Sequence, residues 1–108
     1  MKVMEFYEGY FENYQEENMA ENTWRTRISM MRVHVLPLWG DKELDEITAY
    51  DIDELYDLMR AKGLKRNTLF GMQSALGSFF NLAVDNGFIT SSPMHDATRI
   101  KPDDGSAS

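Results

Sequence analysis

A chain of 108 residues, 43% hydrophobic and 12% aromatic, has enough apolar material for one packed core and is not an extended disordered polymer. The absence of cysteine excludes a disulfide framework, a zinc ribbon and a thiol nucleophile, and it fits a reducing cytoplasm. The formal net charge of −7 argues, taken as an average, against a nucleic-acid partner. No apolar run approaches the ~20 residues of a membrane span, so no membrane partner is expected.

The opening stretch MKVMEFYEGYFENYQEE is too acidic and too interrupted for a signal peptide. Its spacing predicts a helix over 2–18 with Val3, Phe6, Tyr7, Tyr10 and Tyr14 inward and Glu5, Glu8, Glu12 and Glu16 outward. ENMAENT reads as a loop in which Asn22 or Thr23 caps the next helix. That second helix is expected over 23–36, with Trp24, Ile28, Met31 and Val35 forming a narrow inward stripe. Arg25, Ser29 and Arg32 lie along one flank of the stripe, and Arg27 and His34 along the other. Pro37 has no backbone N–H and disfavours helix at Leu36, so the helix is expected to end there. Gly40 then supplies backbone freedom for a turn.

Thr48 and Asp51 resemble a capping box opening a third helix over 49–61, with Ile52, Leu55 and Met59 inward. Asp51, Asp53, Glu54 and Asp57 crowd its first turns, where the helix dipole favours acids, and Gly63 ends it. A fourth helix starts near 65–68 and runs to about Asn86, with Leu69, Met72, Leu76, Phe79, Phe80 and Ala83 inward. Gly87 stops it, and Pro93 lies beyond. The expected fold is all-α, a compact bundle of four helices over 1–100. The polar KPDDGSAS of 101–108 is expected to be disordered.

Charge is segregated along this frame. Residues 1–22 carry one Lys and six Glu, whereas 23–40 carry three Arg and no acid. Residues 41–58 hold eight acids and one Lys; residues 59–102 hold six basic residues (Arg60, Lys62, Lys65, Arg66, Arg99, Lys101) against Asp85 and Asp96. The second and fourth helices are therefore the basic ones, which matters more than the sum.

Residues for catalysis are scarce. His34 and His95 are the two histidines, and neither has a second ligand at metal spacing. The acid runs DKELDE and DIDE lack the loop glycine and spaced oxygens of a calcium hand, and read as solvated helix faces. There is no phosphate-cradling glycine loop. No cofactor is expected, and the chain by itself is not expected to be an enzyme.

Five segments in order then carry a resemblance. Thr23 opens a helix; HVLPLWG follows at 34–40, LDEIT at 44–48, GLKRNT at 63–68 and AVDNGFITSSP at 83–93. Together they resemble the core-binding, SAM-like domain of tyrosine recombinases, the integrases of phages and conjugative transposons. The likeness runs from about residue 3 to 100. Lys65 stands where that family commonly has Ser, and Ser92 where Asn usually precedes the proline. The family's catalytic Arg, His-x-x-Arg segment and Tyr nucleophile lie in a separate C-terminal domain. The resemblance thus implies an excised domain whose tyrosines are not nucleophiles.

The resemblance further implies a partner, double-stranded DNA at a recombination core site, clamped between this domain and the catalytic domain of the same parent chain. The second and fourth helices would face it. The DNA-facing residues implied are Thr23, Arg25, Arg27 and Arg32 on the second helix, and Lys65, Arg66, Asn67, Thr68 and Gln73 on the fourth. The arginines suit phosphate contacts, the 65–68 group joins charge to free N–H groups at a helix start, and Asn67 or Gln73 suits an adenine edge. Gly71, Ser74 and Ser78 are small enough for close approach of a DNA backbone or of another helix. The acidic first and third helices would face solvent or a neighbouring recombinase subunit. The competing reading is an acidic helical protein-interaction domain whose arginines are incidental.

Overall fold

The first helix, α1, joins Val3–Phe6, a π-helical turn over Tyr7–Phe11 and Glu12–Asn18 without a break. The structure, a computed structural model, describes residues 1–100; the tail expected over 101–108 lies outside the described residues. The π-turn changes which side of α1 is buried. A wide turn takes up an extra residue, so the inward positions run Val3, Tyr7, Phe11 and Gln15, with Phe6 beside them. Tyr10 and Tyr14, expected inward from ordinary helical spacing, are instead 40% and 37% exposed.

The second helix, α2, joins Glu21–Met30, a π-turn over Met31–Val35 and Leu36–Trp39. Two sequence expectations are corrected here. The helix begins before Thr23: Ala20 occupies the cap position without a side-chain bond, and Thr23 is exposed within the first turn. Glu21 supplies the negative charge that favours this end. The helix also continues through Pro37 to Trp39. In the π-turn the Leu36 N–H bonds the Met31 carbonyl, five residues back. This widening just ahead of the proline relieves the clash that a proline ring makes with a regular preceding turn. Burial of Trp39, 1% exposed and packed near Phe80, holds the final turn against the core.

Gly40 closes α2 with φ −52°, an ordinary right-handed value, so a need for unusual backbone freedom does not account for it. Its role is close approach. Met4 N–H donates to the Gly40 carbonyl (3.2 Å) and Val3 N–H to that of Lys42 (2.9 Å), while Leu44 N–H donates to Met1 (2.8 Å). The turn after α2 therefore clasps the start of α1, with one antiparallel bridge between Lys2 and Glu43. A Cβ at position 40 would lie 2.6 Å from the Leu36 carbonyl oxygen and 3.0 Å from Met4 Cε. Gly40→Ala is expected to cost about 1–3 kcal/mol, as overpacking does. A urea titration should show a lower midpoint at unchanged slope.

Thr48 caps the third helix, α3 (Ala49–Ala61): its hydroxyl accepts from Asp51 N–H (3.3 Å), and the Asp51 carboxylate accepts from Thr48 N–H (3.0 Å). Ile52, Leu55, Tyr56 and Met59 face the core. Gly63, at φ +87°, ends α3: Gly63 N–H bonds Arg60 and Leu64 N–H bonds Met59. The fourth helix, α4 (Arg66–Asp85), buries all six apolar residues expected of it. Gly87, at φ +78°, ends it in the same way.

α4 is the central helix, and its Phe79 meets Phe6, Phe11 and Phe80 edge-on at centroid distances of 5.1, 5.2 and 5.2 Å. Beyond α4 the chain returns as a strap over 92–100 that packs on α3 and α4 through the 3-10 turn Pro93–His95. Ser92 is buried and its hydroxyl accepts from Met94 N–H (3.2 Å), so the serine at this position caps the turn. No strand occurs among the described residues.

Candidate nucleic-acid interface

The three arginines of α2 are already engaged. Arg25 pairs with Glu21 one turn earlier (2.7 Å) and lies over the Trp24 ring (5.6 Å). Arg32 crosses to α1, pairing with Glu12 (2.7 Å) and donating to the Tyr7 hydroxyl (3.1 Å). Burial pushes the Tyr7 phenol up to about 12 although Arg32 opposes it, so the hydroxyl stays protonated. Arg27 donates to the Oε1 of fully buried Gln15 (3.1 Å), whose Nε2 donates to Ser78 on α4 (2.8 Å). Arg27 is thus the α2 arginine tied to the α4 seam, while Arg25 and Arg32 are exposed cations shared with carboxylates.

The start of α4 differs. Lys65 holds the cap position in an extended conformation with no side-chain cap bond. Lys65 and Arg66 are exposed and form no ion pair among the described residues. Asn67 is exposed and Thr68 half-buried beside them. The first turn contains no acid to neutralise the positive end of the dipole. A 20-residue helix therefore presents two exposed cations, without an ion pair among the described residues, at the positive end of its dipole.

Along α4 the small residues divide. Gly71 turns inward, where an added Cβ would lie 2.9 Å from Met30 Cε, and Ser78 binds Gln15; both pack within the domain. Ser74 and Asn81 are exposed and border the strap. Gln73 turns to the strap: its Nε2 donates to the Ile100 carbonyl (3.1 Å), and its Oε1 accepts from Ile100 N–H. Of the two amides expected to suit a base edge, Gln73 is committed to the backbone here.

Two grooves flank the strap. One, of about 430 Å³, is lined by Arg60, Arg66 and Arg99 together with Leu64, Leu69 and Thr98. The other, of about 440 Å³, is bordered by Ser74, Gly77 and Asn81 on one side and by the strap, including Thr98 and Arg99, on the other. Neither groove is lined by a carboxylate, although acids outnumber basic residues 18 to 11 in the chain. Arg60 and Arg99 were not among the expected DNA-facing residues, because only the closing of the strap brings them to one groove. The visible signal was the glycine stop at Gly63, which sets the end of α3 beside the start of α4.

Other candidate chemistry is thin. His34 is half-buried, its Nδ1 finds no partner among the described residues, and burial and Lys62 lower its pKa. No cluster of His, Asp or Glu suited to a metal ion occurs among the described residues. No helix among them is long and apolar enough to cross a membrane.

A family model described as phage integrase, N-terminal SAM-like domain, matches residues 2–59, more than half of the chain. Two solved structures share the fold. The integrase-like domain from Bacillus cereus superposes with a TM-score of 0.80 at 19% identity, covering 93% of this chain and 83% of that one. The phage integrase SAM-like domain from Moorella thermoacetica gives 0.81 at 21% identity, covering 94% and 86%. No curated protein matches the sequence.

Proposed function

The chain belongs to the family of phage-integrase N-terminal SAM-like domains, and from that premise we propose that it is a DNA-binding module of a site-specific recombinase, gripping duplex DNA along the exposed ridge of α4. Strand transfer, in this reading, is carried out by a separate catalytic domain of the parent chain, which closes on the opposite face of the duplex. Lys65 and Arg66 hold a phosphate at the helix start, joined by the polar side chains of Asn67 and Thr68. Ser74 and Asn81 let the DNA backbone approach, with Arg27 on one side of the ridge and Arg99 on the other. Arg25 and Arg32 reach the duplex by exchanging Glu21 and Glu12 for phosphate, which makes them secondary contacts. Thr23 sits in the same α2 turn as Arg27 and is available to a flanking phosphate. Neighbouring recombinase subunits are the partners that suit the acidic faces of α1 and α3.

The observation that carries this reading is the charge contrast. In an acidic chain, the grooves along α4 are lined by arginines and neutral residues with no carboxylate. A duplex titration followed by fluorescence anisotropy across a salt series tests it. Affinity falling linearly in log–log form with added salt is expected. Salt-independent binding, or none, would leave the protein-interaction reading in its place.

Lys65 gives a prediction with two opposed signs. Lys65→Ser restores a capping hydroxyl and is expected to stabilise the domain by about 1 kcal/mol. That corresponds to a rise of roughly 4–8 °C in Tm for a domain of this size. The same change removes a phosphate contact and lowers the salt slope by about one. Calorimetry and the salt series on one variant read both effects.

A further inference from the structure

We infer that the cleft between the end of α3, the start of α4 and the strap is a phosphate-binding site, and that Gln73 is the positioning residue that assembles it. The duplex arm of this inference rests on the DNA-binding reading above; the site itself does not. Arg60, Arg66 and Arg99 line the cleft over apolar walls from Leu64, Leu69 and Ile100. Arg60 is paired with Asp57 (3.0 Å), whereas Arg66 and Arg99 have no ion pair among the described residues. Three guanidinium groups around one opening, with Asp57 the one carboxylate paired to them among the described residues, leave a local positive excess that an oxyanion relieves. Planar guanidinium forks match the oxygens of a phosphate in paired hydrogen bonds, and apolar walls beside them strengthen those bonds by excluding water.

Arg99 reaches the cleft because of how the strap is held. Thr98 N–H donates to Asp53 Oδ1 (2.8 Å) on α3, and Ile100 is clasped by Gln73 through both its N–H and its carbonyl. These anchors bracket Arg99, and Ile100 is itself buried at 5% exposure. Losing the Gln73 amide releases one anchor, so Gln73 acts on the anion through Arg99 rather than by touching it. The ligand chemistry is a phosphate oxyanion, supplied either by a duplex backbone or by free phosphate.

The test uses the 108-residue chain with inorganic phosphate alone and, separately, with a duplex across a salt series. It compares wild type, Arg99→Ala, Gln73→Ala and the double variant. Phosphate is expected to shift the NMR resonances of Arg66 and Arg99, and Arg99→Ala to abolish the response. On duplex, Arg99→Ala should lower affinity about tenfold and the salt slope by about 0.9. Gln73→Ala should reproduce much of that loss, with the double variant no weaker than Arg99→Ala. Absent phosphate shifts together with unchanged duplex binding by Arg99→Ala would overturn the cleft while leaving the DNA reading intact. Phosphate shifts without any duplex binding by wild type would support the cleft and remove the DNA reading. Additive losses, or an altered sequence preference in Gln73→Ala, would make Gln73 a base reader and overturn its positioning role.

Discussion

Phe79→Ala is expected to destabilise the domain by about 3–5 kcal/mol, the usual cost of emptying a buried aromatic site. Phe79 is fully buried on α4 and meets Phe6 and Phe11 of α1 and Phe80 of its own helix, all edge-on. Such pairs contribute about 0.5–1.5 kcal/mol beyond the area they bury. α1 meets α4 along this seam, where Phe6 and Phe11 touch Phe79 and Gln15 donates to Ser78. Total stability for domains of this size is about 5–15 kcal/mol, so the variant should sit near the edge of folding. Urea unfolding followed by circular dichroism measures the loss. A loss below ~1 kcal/mol would mean that the ring cluster is not the keystone of the core.

The largest functional effect is expected from Lys65→Ala combined with Arg66→Ala. Each residue is exposed and forms no ion pair among the described residues, so each offers its charge to a phosphate. Removing both should weaken duplex binding on the order of 100-fold at low salt and lower the salt slope by about two. Arg25→Ala serves as the contrast and should change affinity less than about threefold, because the Glu21 pair already occupies its guanidinium. The freed Glu21 adds local repulsion, which accounts for the small residual loss. Equal losses from both variants would place the duplex across α2 and α4 alike.

Much of the fold was legible because local signals agreed with packing. The Thr48–Asp51 box, the glycine stops at 63 and 87, and the apolar face of α4 depend on residues only a few positions apart. The misread burial of α1 and the misread end of α2 both trace to the two π-turns. Periodicity arguments assume a regular helix, and an extra residue in one turn moved Tyr10 and Tyr14 outward while bringing Phe11 and Gln15 in. The same device ahead of Pro37 carried α2 one turn further than a proline usually permits. Gly40 was recognised as special for the wrong reason: close approach of the Leu36 carbonyl, with Met4 of α1 beside it, and not an unusual backbone conformation, requires its lack of a side chain.

The candidate site was legible in outline only. Charge blocks along the sequence marked the second and fourth helices as basic. They do not record that Arg32 would find Glu12 on another helix, or Arg27 a buried glutamine. Those pairings are tertiary, as is the meeting of Arg60, Arg66 and Arg99 around one cleft. Folding thus shifts the balance of available positive charge from α2 towards the start of α4 and the strap.

The most direct measurement is chemical-shift mapping of the chain during titration with a duplex carrying the core recombination site of the parent element. The account predicts that perturbations concentrate at 65–68, at Ser74 and Asn81, at Arg27 and at 98–100, and that they fade as salt is raised. Perturbations confined to the acidic faces of α1 and α3, or none at any salt, would contradict it.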